Sequence, residues 1–212
     1  MLFYDRQDAG QKLAEKLIEY KNNPKVIIVG LPRGGVIIGH EISQVLKTPL
    51  DIVVPRKIGA PDNPELAIGA ITEKGQGIFN EHIIQAYNIS LDYIDQETVK
   101  EQQEARRRLK IYRGNKKPLD LENKIVIIVD DGIATGSTMQ AAIASIKNKR
   151  PRKIIVAVPV LAQDSIPKIE EIVDELIYLK APPLFMAVGN FYDLFAQVED
   201  QEVINIIKKH SS

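Results

Sequence analysis

The run Ile125 to Met139, reading IVIIVDDGIATGSTM, most constrains what this chain can become. Its opening block is too short and too rich in β-branched residues for a helix, and it reads as a buried strand. Two adjacent carboxylates, Asp130 and Asp131, end that strand. The small residues Gly132 to Thr138 follow, and then the helix-forming stretch MQAAIASI. A loop rich in Gly and Ser/Thr at a helix N-terminus offers backbone N–H groups, hydroxyls and the positive end of the helix dipole to an anion. The carboxylates just ahead of it suit ribose hydroxyls, or a divalent cation bridging to them. Together they predict a sugar-phosphate ligand.

Elsewhere the chain alternates strand and helix patterns. Leu13, Ala14, Leu17 and Ile18 make a helical stripe within 9–20, and Lys25–Gly30 reads as a buried strand. A helix over Val36–Leu46 and a strand over Leu50–Pro55 come next. Ala67–Thr72 and Gly77–Phe79 are expected to pair as a small hairpin around Glu73-Lys74-Gly75, ahead of a long charged helix over Asp92–Tyr112. After the Ile125–Val129 strand and a helix over Ser137–Lys147, the expectation is strand Lys153–Val158, helix Ser165–Ile172 and strand Glu175–Leu179. This order predicts an α/β fold, a mainly parallel twisted sheet flanked by helices, with ligands at the carboxyl ends of its strands. With 212 residues, 44% apolar, positions 1–212 are expected to form a single domain.

Val129-Asp130-Asp131-Gly132-Ile133-Ala134-Thr135-Gly136-Ser137-Thr138 resembles the phosphoribosyl-pyrophosphate (PRPP) signature of type I phosphoribosyltransferases. The resemblance implies that Asp130 and Asp131 face the ribose 2- and 3-hydroxyls and touch a metal only through substrate or water. It implies that Ala134, Thr135, Gly136, Ser137 and Thr138 wrap the 5-phosphate. A second strand-end loop, Gly30-Leu31-Pro32-Arg33-Gly34-Gly35, has the spacing of neither the dinucleotide fingerprint nor the P-loop, which weakens dehydrogenase and NTPase readings. It looks like the family's pyrophosphate loop, with Arg33, Gly34 and Gly35 as binding residues. Glycine lets the backbone approach an anion, and Arg can take two phosphate oxygens at once.

The stretch Val54 to Ala70 resembles a branch of the family whose acceptor substrate is undefined. Arg56 and Lys57 stand at its root as candidate catalytic cations, and its Gly and Pro residues predict an irregular, mobile loop around 56–66 that closes over the leaving group. Glu65 is a candidate base or magnesium ligand. The family's acceptor-reading hood is expected around 181–195, with a contribution from 1–8. Within it, Phe185, Phe191 and Tyr192 are candidate stacking faces for an acceptor, the other reading being core packing. Phe3-Tyr4-Asp5-Arg6 matches the same branch without an assigned role. His40, His82 and His210 show no metal or triad spacing; His40 on a helix and His210 in the tail read as structural or solvated. Arg106-Arg107-Arg108 reads as a solvated helix face, the lesser reading being a grip on phosphate.

Lys plus Arg equals Asp plus Glu at 28 each, so no global field favours nucleic acid or membrane as a partner. Without cysteine, disulfides, zinc thiolates and cysteine nucleophiles are ruled out. The N-terminus lacks a signal-peptide pattern and no apolar run reaches the ~20 residues needed to span a bilayer, so a cytoplasmic protein is expected. The resemblance implies a Mg²⁺-dependent transferase of nucleotide metabolism. It would move phosphoribose from PRPP to an acceptor, expected to be a nitrogenous base, and release pyrophosphate. Two other readings stay open: a PRPP-sensing regulator without turnover, and a sugar-phosphate hydrolase. A homodimer is an open expectation.

Overall fold

In chain order the strands are β1 (Val26–Gly30), β2 (Leu50–Ile52), β3 (Arg56–Ala60), β4 (Asn63–Ile71), β5 (Gly77–Phe79), β6 (Ile125–Val129), β7 (Lys153–Val160) and β8 (Glu175–Lys180). The helices are α1 (Arg6–Lys16), α2 (Gly34–Leu46), α3 (Glu81–Ala86), α4 (Leu91–Arg113), α5 (Ser137–Lys147), α6 (Ile166–Glu170) and α7 (Asp200–Lys209). This computed structural model describes residues 2–71 and 77–210, without the side chains of Pro64, Glu65 and Ile78.

Five strands pair in parallel in the order β2-β1-β6-β7-β8. Their side chains alternate between two apolar layers, as a period of two requires. Val26 and Ile28 of β1, Ile127 and Val129 of β6, and Ile155 and Ala157 of β7 pack with residues of α1, α2 and α7. Ile27, Val29, Val126, Ile128, Ile154, Val156 and Val158 pack with residues of α5 on the other face. A fully buried Ile or Val contributes about 1.5–3 kcal/mol relative to an exposed one, so these strands anchor whatever their carboxyl ends carry. The parallel sheet flanked by helices is the expected architecture.

A second sheet, antiparallel in the order β3-β4-β5, stands apart with its own small core of Ile58, Ala60, Ile68, Ile71, Ile89 and Ile94. The expected hairpin of 67–72 with 77–79 is present as the β4–β5 pair, while its tip, 72–76, lies outside the described residues. The irregular structure expected over 56–66 is corrected: Arg56–Ala60 pairs antiparallel with β4. Its glycine and proline mark regular features. The register shifts on both sides of Gly59, as at a bulge, and Pro61-Asp62 forms the turn.

Other boundaries moved modestly. The first helix ends at Lys16 and a 3₁₀ turn covers Ile18–Tyr20. Ile166–Glu170 is a shorter helix than expected, preceded by a 3₁₀ turn. The tail is helical in α7, which buries Val203, Ile206 and Ile207 at i, i+3, i+4 spacing.

Candidate active site

Both predicted anion loops open helices that receive no cap from their own N-cap side chain: α2 follows Arg33 and α5 follows Gly136, and α6 and α7 are alike in this, whereas Asp5, Asn80 and Ser90 cap α1, α3 and α4. In α2 the Gly35 amide is turned to the Asp130 carboxylate and Val36 N–H donates to Arg33 O at 3.1 Å, so this helix start is tied to the acidic pair. A helix start of this kind in α5 offers first-turn N–H groups to an anion. Gly136 sits at φ +83°, a left-handed conformation that costs glycine little, and this turns the chain from the loop into α5. The loop is braced from below. Ile133 N–H donates to Val160 O (3.0 Å), and the Ser165 hydroxyl donates to Ala134 O (2.6 Å). Ala134, Thr135 and Thr138 are exposed, Gly136 is buried, and Thr135 and Ser137 hydroxyls lie 3.4 Å apart.

The structure sets the Gly30–Gly35 loop directly against the acidic pair. Leu31 N–H donates to Val129 O at 3.0 Å, and the Pro32–Arg33 peptide is cis. A Cβ at Gly35 would stand 2.5 Å from Val129 O and 2.8 Å from Asp130 Cα; one at Gly34 would stand 1.9 Å from Asp131 Oδ2. Gly35 therefore requires glycine for a close approach to backbone, whereas a Cβ at Gly34 would displace the Asp131 and Arg6 side chains.

Asp130 and Asp131 differ in their surroundings. The Asp131 amide donates to Asp130 Oδ1 at 2.9 Å. Burial raises Asp130 well above the usual carboxylate range, and the neighbouring Asp131 charge adds to the rise. Asp131 is also raised by burial, opposed by Arg6, whose Nε donates to Asp131 Oδ2 at 2.8 Å. Arg6 also donates to Ala196 O (2.8 Å), and its guanidinium lies 3.8 Å from the centre of the Phe195 ring. Arg6 thus ties the N-terminal segment, the acidic pair and the 195–196 segment together. Phe3-Tyr4-Asp5-Arg6 stood out in the sequence, but nothing there pointed across 125 positions to Asp131.

Segments 2–4 and 191–194 run side by side. Phe3 N–H donates to Phe191 O, and Asp193 and Leu194 N–H donate to Phe3 O and Tyr4 O. Of the aromatics singled out as acceptor faces, Phe185 and Phe191 are half-buried with centroids 5.0 Å apart. Tyr192 is corrected: it is 2% exposed, its ring packs against Phe3 and Phe195, and no face remains for a base. Its hydroxyl donates to Asp131 O at 2.6 Å, and burial raises its pKa, so it stays a protonated donor. Tyr192 props the acidic strand end.

The cations sit across the cleft. A cavity of about 260 Å³ is lined by Leu31, Pro32, Arg56, Lys57 and Thr138 among others, so it joins the 30–35 loop, the β3 cations and the 134–138 loop. Arg56 Nε donates to Glu101 of α4 at 2.5 Å. Arg33 Nη1 lies 3.6 Å from Asp200 Oδ1 at the start of α7, a residue that sequence reasoning missed. A larger space of about 510 Å³ lies between α5 and the β4–β5 hairpin; Ser137 lines it but neither carboxylate does. His82 lines that space, while His40 Nδ1 meets His210 Nε2 at 2.8 Å, pinning α7 to α2. The Glu65 side chain lies outside the described residues. No group of three or more metal-ligating side chains occurs among the described residues, and no helix there is long and apolar enough to cross a membrane.

With this geometry in place, the relatives are informative. The family model described as phosphoribosyl transferase domain matches residues 4–181. Two Mycobacterium tuberculosis proteins, from strains CDC 1551 / Oshkosh and ATCC 25618 / H37Rv, carry the words phosphoribosyl transferase in their names. Each is 38% identical over 98% of this chain. The match covers 47% of either relative, so the chain spans about half the length of the curated relatives it matches. The crystal structure of TT1426 from Thermus thermophilus is similar along the full length of both chains, with 34% identity and a TM-score of 0.90. The chain belongs to the phosphoribosyltransferase family.

Proposed function

We propose that this protein transfers phosphoribose from PRPP to a nitrogenous base and releases pyrophosphate. The observation that carries the reading is the acidic pair Asp130–Asp131 set at the carboxyl edge between the starts of α2 and α5, with Arg56 and Lys57 lining the adjoining cavity. In this reading Ala134 to Thr138 take the 5-phosphate and the Arg33–Gly35 loop takes the pyrophosphate. The C1–oxygen bond breaks first and its electron pair leaves with pyrophosphate. The acceptor nitrogen then bonds to C1 and loses its proton. Asp130 and Asp131 orient the ribose and offset the positive charge that develops on it, and Arg33, Arg56 and Lys57 stabilise the departing anion.

Two carboxylates at one strand end fit a Mg²⁺ held mainly by substrate and water oxygens, the arrangement that small, hard cation favours. When bound, it would neutralise polyphosphate charge. Phe185 and Phe191 are the candidate faces for a flat acceptor, a surface of 181–195 braced by 1–8, and the hairpin over 56–66 is the candidate closing element. The site is expected to act in the cytoplasm. The test is a panel of purine, pyrimidine and nicotinate-type bases incubated with PRPP and Mg²⁺, scored for pyrophosphate release. Release dependent on one base supports the transferase and identifies its acceptor. Release without any base makes the protein a hydrolase, and PRPP binding with no release makes it a sensor; either overturns the proposal.

A further inference from the structure

The triple arginine of α4 reads in the sequence as a solvated face, but its three members are placed differently. Residues 101, 105, 108 and 112 share one face of a helix. Ala105 and Tyr112 of that face are buried, so the face is turned inward. Glu101 holds Arg56, as described. Tyr112 O–H donates to Asp200 Oδ1 at 2.8 Å, the same oxygen that lies near Arg33. Between them, Arg108 lines the 260 Å³ cavity with Arg56 and Lys57. One face of α4 thus backs Arg56 directly and Arg33 through Asp200, and adds another cation of its own.

The orientation of Arg108 is set from behind. Its Nε donates to Glu104 Oε1 at 2.7 Å, and Glu104 also receives two bonds from Arg107, at 2.7 and 2.9 Å. A guanidinium anchored through Nε turns its remaining N–H groups outward as a fork, the geometry that suits phosphate oxygens. The cavity is several times the ~30 Å³ that one water occupies, so it admits an anion with more than one oxygen.

We propose that Arg108 is a further pyrophosphate-binding residue, contributed by α4 to the leaving-group side of the cleft. This rests on the reading of the cleft as a PRPP site. The test titrates the intact chain with inorganic pyrophosphate and, separately, ribose 5-phosphate, each with Mg²⁺, by calorimetry. Arg108→Gln is expected to weaken pyrophosphate binding about ten- to hundredfold, the size of a lost charge-assisted contact, while ribose 5-phosphate binds as before. Arg108→Lys should fall between, and Lys110→Gln, at an exposed position of α4, should change neither ligand. Unchanged pyrophosphate binding in Arg108→Gln overturns the proposal. Equal weakening in Lys110→Gln also overturns it, by showing a diffuse field effect, and so does parallel loss of ribose 5-phosphate, by showing structural damage. If the unaltered chain binds neither ligand, the PRPP reading itself fails.

Discussion

The two sheets hold their functional residues by different means. At the edge of the parallel sheet, Asp130, Asp131 and the 134–138 loop follow β6, whose branched residues are almost wholly buried. They are fixed by backbone hydrogen bonds and by glycine contacts too close for a Cβ. The antiparallel sheet has a core of a few isoleucines, and its Arg56 is held by a carboxylate on α4. Backbone packing is insensitive to salt and leaves one geometry, whereas side-chain ion pairs exchange partners when a stronger anion arrives. On the proposed reading, fixed backbone geometry serves the ribose, the 5-phosphate and the Arg33–Gly35 loop, and adjustable side-chain charge serves the rest of the leaving-group side.

The largest effect is expected where the two units are joined. Arg113, at the end of α4, donates to Asp51 Oδ1 (2.7 Å) and Ile52 O (2.9 Å), with both side chains only 11% exposed. Asp51→Ala strands a buried guanidinium and should cost about 3–5 kcal/mol in urea unfolding. A small cost would mean that α4 is not anchored there. Next comes Gly35→Ala, whose Cβ collides with backbone that cannot yield. Its expected cost is about 2–4 kcal/mol, with PRPP affinity lost as well; retained affinity would refute fixed geometry at this edge.

Arg6→Ala should follow at about 1.5–3 kcal/mol, since Asp131 loses a charged donor. Arg6→Lys should recover part of the PRPP affinity, and no recovery would count against an electrostatic role. The smallest effect comes from the histidine pair. His210 is held down at about 4 by burial and by His40, and burial lowers His40 too. Both therefore bind protons more readily in the unfolded chain. The stability they contribute is complete above their ordinary value of 6.5 and is lost as pH falls toward 4, about 1–2 kcal/mol after allowing for partial exposure. Melting temperature measured across that window should fall less steeply in His210→Gln.

What the sequence revealed follows the same division. Apart from β2, which ends at Ile52 and not at Pro55, the strands of the parallel sheet were legible to within a residue or two because continuous branched runs admit few alternatives, and Ser137–Lys147 was placed as observed. The β3–β4 pairing was hidden because a bulge glycine and a turn proline look like breakers when their partner strand is unknown. Arg6 and Asp200 were missed as parts of the site, and Tyr192 was singled out as an acceptor face and not as a prop for Asp131, because their partners are set by topology, far away in the chain. Tyr192 also shows that an aromatic near a strand-end site is read from its type but assigned by its burial.

The most direct test of the account is calorimetric titration of PRPP with Mg²⁺ into the unaltered chain and into Asp130→Asn/Asp131→Asn. The account predicts saturable binding by the former and none by the double variant, which keeps the shape of the strand end but not its charge. Equal binding by both, or none by the unaltered chain, would contradict it.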